Sequence, residues 1–124
     1  MQCRLLVKKT TESVTRVIPA EVELENPSPK ALTISFESHP LQYLDLEVTD
    51  GAGKRVSQGY YGYLFSPGMP PQTLNLAPGQ KYRHTVSLFG TVPNVTPGKY
   101  RIKAIYRYNS LHAESDAVEV ELTK

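Results

Sequence analysis

Strict alternation of apolar and polar residues constrains this chain more than any other feature. In Ala20-Glu21-Val22-Glu23-Leu24-Glu25 every acid falls on one face, because successive side chains of an extended strand point to opposite sides. Leu32-Thr33-Ile34-Ser35-Phe36-Glu37 and Leu44-Asp45-Leu46-Glu47-Val48-Thr49 repeat the pattern, as do Tyr82 to Leu88, Tyr100 to Tyr108 and Val118 to Leu122. Each reads as a strand with one buried face. An amphipathic helix needs apolar residues at i, i+3, i+4 and i+7, and no long window supplies them.

The punctuation agrees with strands. All ten prolines fall between these runs or at their starts, where no ladder hydrogen bond is lost. Asn26-Pro27-Ser28-Pro29 reads as a tight turn, and Asp50-Gly51-Ala52-Gly53 as a hairpin loop with glycine at positive φ. Pro78-Gly79 and Pro97-Gly98 are turns, each followed by a strand that begins with a tyrosine, Tyr82 and Tyr100. Seven or eight short strands with such spacing predict an all-β chain: an immunoglobulin-like antiparallel β-sandwich with Greek-key connections, formed by residues 1–124 as one domain. Tyr100 stands where a tyrosine corner would tie a Greek-key crossing to nearby backbone; the alternative is a plain strand aromatic. Pro78, Gly79, Pro97, Gly98 and Tyr100 are expected to serve structure.

Composition narrows the function. A chain of 124 residues buries roughly two-thirds of its unfolded surface, so it needs no metal or disulfide framework. Lys and Arg number 14 against 12 Asp and Glu, a net charge of +2. The basic stretches, Lys81-Tyr82-Arg83 and Lys99 to Arg107, alternate with apolar residues instead of forming a concentrated stripe. Nucleic acid is therefore not an expected partner. Nor is a membrane, since nothing approaches the ~20 apolar residues of a span. The one cysteine, Cys3, excludes an internal disulfide, and its alternation with Leu5 and Val7 suits a buried strand residue better than a reactive thiol. The only apolar run in Met1 to Lys9 is Leu5-Leu6-Val7, too short for a signal-peptide core. This favours the cytoplasm, with secretion the alternative if a leader preceded the chain.

No catalytic motif emerges. HExxH, CxxC, GxSxG and P-loop patterns are all missing from the sequence, and with them the zinc, redox, acyl-transfer and phosphate chemistry they support. His39 precedes Pro40 in a turn, His84 lies on the apolar face of a strand, and His112 falls in a loop from Asn109 to Ala113. Glu21, Glu23 and Glu25 stand roughly 7 Å apart along one strand face, which reads as a charged solvent face or a guarded edge and not as a glycosidase pair. No catalytic residue, metal or cofactor is expected.

The stretch from Gln58 to Gln72 breaks the alternation. Tyr60, Tyr61, Tyr63, Leu64 and Phe65 crowd together, followed by Met69 among prolines and glycine. A two-faced sheet cannot hide them all. Tyr and Met held by Pro and Gly suit an exposed recognition surface, and Tyr60, Tyr61, Tyr63, Phe65 and Met69 are the candidate binding residues, with the loop from Gly90 to Pro97 a candidate neighbour. The alternative is a crossover that caps the open end of the sandwich with its own aromatics.

A family resemblance rests on Asn26-Pro27, His39-Pro40-Leu41, Leu46 to Asp50, Leu74-Asn75-Leu76-Ala77-Pro78-Gly79 and Pro97-Gly98-Lys99-Tyr100. Over residues 18–106 this series resembles the non-catalytic β-sandwich domain that precedes the protease domain of deuterolysin-type, lysine-specific metalloendopeptidases. The skeleton is also similar to the bacterial intracellular proteinase inhibitor family, with its Asn-Pro turn, Leu-x-Pro-Gly turn and late Pro-Gly-x-Tyr. The resemblance implies a β-sandwich and a dealing with proteases. The metallopeptidase's zinc motif is absent, so peptidase activity is not implied. Its basic segment before the Leu-x-Leu turn is replaced by Phe65-Ser66-Pro67-Gly68-Met69-Pro70, without the cations, and no inhibitory reactive-site residue carries over.

The reading that results is a non-enzymatic protein-binding module with a protein partner, a proteinase that it inhibits or accompanies being the expected one. A carbohydrate-binding module using its planar aromatics, and a structural accessory domain of a larger assembly, are the alternatives.

Overall fold

The computed structural model describes residues 1–14, 18–65 and 70–124. The described residues form ten strands and two 3-10 turns. The strands are β1 (Gln2–Leu6), β2 (Thr11–Ser13), β3 (Pro19–Glu25), β4 (Leu32–Phe36), β5 (Leu44–Thr49), β6 (Gln72–Leu76), β7 (Lys81–Ser87), β8 (Gly98–Tyr108), β9 (Leu111–Glu114) and β10 (Val118–Thr123), and the turns are η1 (Pro40–Tyr43) and η2 (Tyr61–Leu64). One sheet runs β1-β3-β7, a second runs β2-β10-β8-β5 with β9 also on β8, and β4 with β6 makes a two-stranded ribbon. The chain is an all-β sandwich, and six of its strands coincide with the alternating runs.

Two features depart from the expected antiparallel, seven- or eight-strand plan. β2 pairs with β10 in parallel, because the chain leaves the first sheet after β1 and enters the second beside its last strand. Short strands account for the extra elements: β2 has three residues and β9 four, too few for alternation to register. The stretch from Asn109 to Ala113 is therefore not a loop. Only Asn109 and Ser110 turn between Tyr108 and its partner Leu111, with Asn109 at φ 51°, a conformation asparagine tolerates.

The inward residues of both sheets meet in one core. Val22 and Leu24 of β3, Leu44, Leu46 and Val48 of β5 and Ile102, Ala104 and Tyr106 of β8 are fully buried there. Burial of such side chains contributes on the order of 2 kcal/mol each, which is why the alternation alone selects the face. The Tyr106 hydroxyl donates to the Pro40 carbonyl at 2.6 Å and fastens η1 to β8. Tyr100, buried near the start of β8, donates to the Thr96 carbonyl at 2.7 Å, four residues upstream, the bond a tyrosine corner makes. At Ala77-Pro78-Gly79-Gln80 the Gln80 N–H reaches the Ala77 carbonyl at 2.9 Å. Gly79 takes φ 77° there, the left-handed position after proline that a type II turn demands.

The glutamate face of β3 belongs to the middle strand of its sheet, not to an edge. Glu23 is only 2% exposed. Arg4 from β1 and Arg83 from β7 close over it, at 2.8 and 2.6 Å. Burial pushes its carboxyl up, but the hydrogen bonds from Arg83 and Arg4 outweigh that and hold it below the ordinary value.

Candidate functional site

The aromatic segment is seated by a series of bonds that begins in β5. Asp45 points away from the core and is nevertheless buried, because Arg55 Nη2 donates to both its oxygens at 2.9 and 3.1 Å. One nitrogen thus serves both carboxylate oxygens, while Arg55 Nε donates to the Ser57 carbonyl at 3.2 Å and ties the two segments together. Val48 N–H donates to Ser57 Oγ at 3.1 Å, and Gln58 N–H to the Thr91 carbonyl at 2.9 Å. The chain is thus clamped between β5 and the loop after β7 before it turns at Gly59 into η2.

Within η2 the aromatics divide. Tyr61 is 7% exposed and its hydroxyl accepts from the Ser87 N–H at 2.8 Å, so it anchors the turn to β7 from inside. Tyr63 and Leu64 point out, 78% and 55% exposed. Tyr60 is half-buried, its ring meeting Tyr63 edge-on at 5.8 Å and its hydroxyl 3.3 Å from Arg107 Nη1. Phe65 is half-buried. Met69 lies outside the described residues. Alternation on its own could not separate these residues, because a 3-10 turn places them by a period of three. Gly90 lies under Leu64 and Tyr61: a Cβ built on it would sit 3.1 and 3.3 Å from their side chains. The loop from Gly90 to Pro97 and the segment from Gln58 are therefore neighbours.

Leu64 and Arg107 belong to this surface and were not among the candidates. The signal for Leu64 was its place in the crowded run. Arg107 follows Lys99, Arg101 and Lys103 on the outward face of β8, broken only by Ile105, so nothing in the sequence marks it out.

His39, read from sequence only as a turn residue, holds the inner side. Its Nδ1 accepts from the Leu41 N–H at 3.0 Å, capping η1. Its ring stacks on Phe65 at 4.1 Å and meets His84 edge-on at 4.3 Å. Tyr82 closes the cluster, stacked over His84 at 6.5 Å. Burial lowers the affinity of His39 for a proton, and the neighbouring His84 lowers it further. The folded state then binds fewer protons than the unfolded chain, so stability is whole above the ordinary value of 6.5 and falls as the pH drops from there toward the depressed folded value. Urea melts across that range are expected to show this loss in the wild type. Asn at position 39 can still cap η1 but does not titrate, so His39→Asn is expected to flatten the slope. An equal slope in the variant would assign the effect to another group.

Among the described residues no group of three or more His, Cys, Asp or Glu is placed to hold a metal ion. An open groove of about 700 Å³ lies at the Lys99 end of β8, between Asp50 and Glu121, away from Tyr60, which meets the strand at Arg107. Around η2 the exposed surface is aromatic and apolar, with Tyr63 and Leu64 outermost.

Known proteins place this fold. The chain is similar to a β-glucosidase from Erythrobacter marinus, with 14% identity and a TM-score of 0.50 over 99% of this chain and 15% of the enzyme. It is also similar to a β-glucosidase from Listeria innocua solved with glucose, with 14% identity and a TM-score of 0.54 over 99% of this chain and 16% of that one. The chain spans under a fifth of either enzyme, and such identities speak for the fold alone. No curated protein matches it. The family model described as BsuPI, intracellular proteinase inhibitor, matches residues 5–111, a span that takes in the Asn26 turn, η2, the Pro78-Gly79 turn and the Tyr100 corner. The chain belongs to the intracellular proteinase inhibitor family.

Proposed function

We propose that this chain inhibits a proteinase by docking Tyr63 and Leu64 of η2, with Tyr60 that caps it, against the enzyme, with an immunoglobulin-like sandwich as the rigid platform. One observation carries the reading: two adjacent large apolar side chains stand exposed on a turn whose other residues are locked inside. Tyr61 and Phe65 support the surface from beneath, and Met69 extends it in sequence. Family membership supplies the class of partner. Tyrosine in such a position brings large contact area at low entropic cost, and a seated turn loses little freedom on binding.

The double variant Tyr63→Ala, Leu64→Ala is expected to weaken inhibition about a hundredfold with the melting temperature unchanged, since two anchors together are worth roughly 3 kcal/mol. Inhibition titrations against serine, cysteine and metalloproteases check this. Near-wild-type inhibition by the double variant would remove η2 as the contact. A wild-type protein that inhibits none of them would favour the second reading, suggested by the likeness of residues 18–106 to the deuterolysin-type sandwich domain: a module that accompanies a proteinase.

A further inference from the structure

Arg107 is the unsatisfied charge beside the aromatic surface. It lies on the outward face of β8, opposite His112 of β9. Ile105, two residues back, is opposite both Asp45 of β5 and Glu114 of β9. These are the carboxylates a diagonal neighbour would reach, and each is already engaged. Asp45 is held by Arg55. Glu114 is held by Lys103 at 2.5 Å and by His112 at 2.7 Å. Among the described residues Arg107 has no ion pair. Its hydrogen-bond partner is the neutral Tyr60 hydroxyl at 3.3 Å. A guanidinium carries five N–H donors in a fixed plane suited to a carboxylate, so most of them face outward unused.

Aromatic and apolar side chains adjoin the guanidinium on the η2 side. Tyr60 supports the guanidinium on one side and touches Tyr63 on the other, and Leu64 stands exposed next in the chain. We propose that Arg107 and Tyr60 form a carboxylate-binding corner, and that the partner offers an Asp or Glu side chain next to an apolar or aromatic one that covers Tyr63 and Leu64. The proposal builds on the η2 surface of the preceding reading and names the chemistry of its partner. Arginine and tyrosine are the residues that concentrate binding energy at interfaces. A charged group set beside an apolar patch also fixes register and speeds encounter.

The test is independent of any proteinase. Peptides from a random phage-displayed library are selected on the immobilised full chain, and the enriched sequences are resynthesised and titrated. Enrichment of Asp or Glu beside Leu, Phe, Tyr or Trp is expected. Dissociation constants are expected to rise about tenfold or more for Arg107→Glu, as loss of a charge pair at an interface predicts. Lys124→Glu makes the same charge change beyond Leu122, which pairs with Gly98 at the far end of β8, and is expected to leave the peptides bound. Selection without an acidic preference, retained binding by Arg107→Glu, or an equal loss in Lys124→Glu would each overturn the corner. A failed corner leaves proteinase inhibition standing, and failed inhibition leaves the acidic preference standing, so the two readings fall separately.

Discussion

Gly62→Ala is expected to destabilise the protein by about 3 kcal/mol, at or beyond the upper end of ordinary overpacking. A methyl carbon at position 62 would lie 1.9 Å from the Gln42 carbonyl oxygen, 2.4 Å from its carbon and 2.8 Å from its Cα. No side-chain rotation relieves a clash with backbone. The obstructing backbone is itself pinned: Gln42 Oε1 accepts from the N–H groups of Glu37 and Ser38 at 2.8 and 3.0 Å, and Tyr106 holds the Pro40 carbonyl. Either η1 leaves β8 or η2 lifts from its seat, and lifting takes Tyr61 out of the core and loosens the surface formed by Tyr63 and Leu64. For a chain this long the thermal midpoint is expected to fall by roughly 10 °C. Gly51→Ala is the matched control, because the nearest atom to its Cβ is 3.8 Å away, and a change within ~0.5 kcal/mol is expected there. A Gly62→Ala midpoint equal to that of the control would mean that the two turns do not press together.

The same pair of glycines shows where sequence reading stops. Gly51 sits in Asp50-Gly51-Ala52-Gly53, and the local pattern announces a hairpin loop; Asp50 Oδ1 indeed accepts from the N–H groups of Ala52 and Lys54. Gly62 sits between two tyrosines, and nothing beside it in the sequence says that backbone must approach there. Its requirement comes from Gln42, twenty residues earlier, and spacing along a chain carries no trace of such an approach. Strand faces were legible for the opposite reason: period-two alternation is local, and burial of one face fixes its sign. Thus Val22 and Leu24 could be assigned inward from the sequence, while β2 and β9, at three and four residues, could not be seen at all.

The exposed aromatic surface was legible as a segment but not residue by residue. Excess aromatics in Gln58 to Gln72 announced that some must stay outside. Which ones do so depends on Ser87, Gly90 and His39, which receive Tyr61, Leu64 and Phe65 from other parts of the chain. Arg107 illustrates the limit for charge. It looks like Lys103 in sequence, and differs because Lys103 holds Glu114 while the acids diagonal to Arg107 are taken by others.

Asn26→Ala is expected to cost about 3 kcal/mol, as a side chain with several buried hydrogen bonds should. Asn26-Pro27 reads as a turn, yet the asparagine is 2% exposed and joins two turns. Its Nδ2 donates to the Lys30 carbonyl at 2.7 Å and to that of Leu76, fifty residues away, at 2.9 Å. Its Oδ1 accepts from Ser28 N–H and Oγ at 3.1 and 2.8 Å. Its backbone meets the Pro78-Gly79 turn through Gly79 N–H and the Gln80 carbonyl at 2.7 and 3.1 Å. Alanine keeps those backbone bonds but leaves the Leu76 carbonyl without its donor in a buried place. Ser28→Ala, which removes only hydroxyl bonds near solvent, is expected to cost about 1 kcal/mol. Asn26→Asp separates donor from acceptor. It retains the oxygen that receives Ser28, but turns the donor to Lys30 and Leu76 into a second carboxylate oxygen facing two carbonyls. At neutral pH it is expected to be at least as damaging as alanine, because a charge is buried against two carbonyl oxygens. Burial and the two carbonyls raise the folded pKa of this aspartate above that of the unfolded chain. The folded state then binds more protons, and stability returns as the pH falls through the folded pKa, since the protonated acid donates once more. Urea melts of the three variants against pH test this. An Asn26→Asp protein whose stability relative to Asn26→Ala does not improve in acid would show that the donor to Leu76 is not what the turn needs.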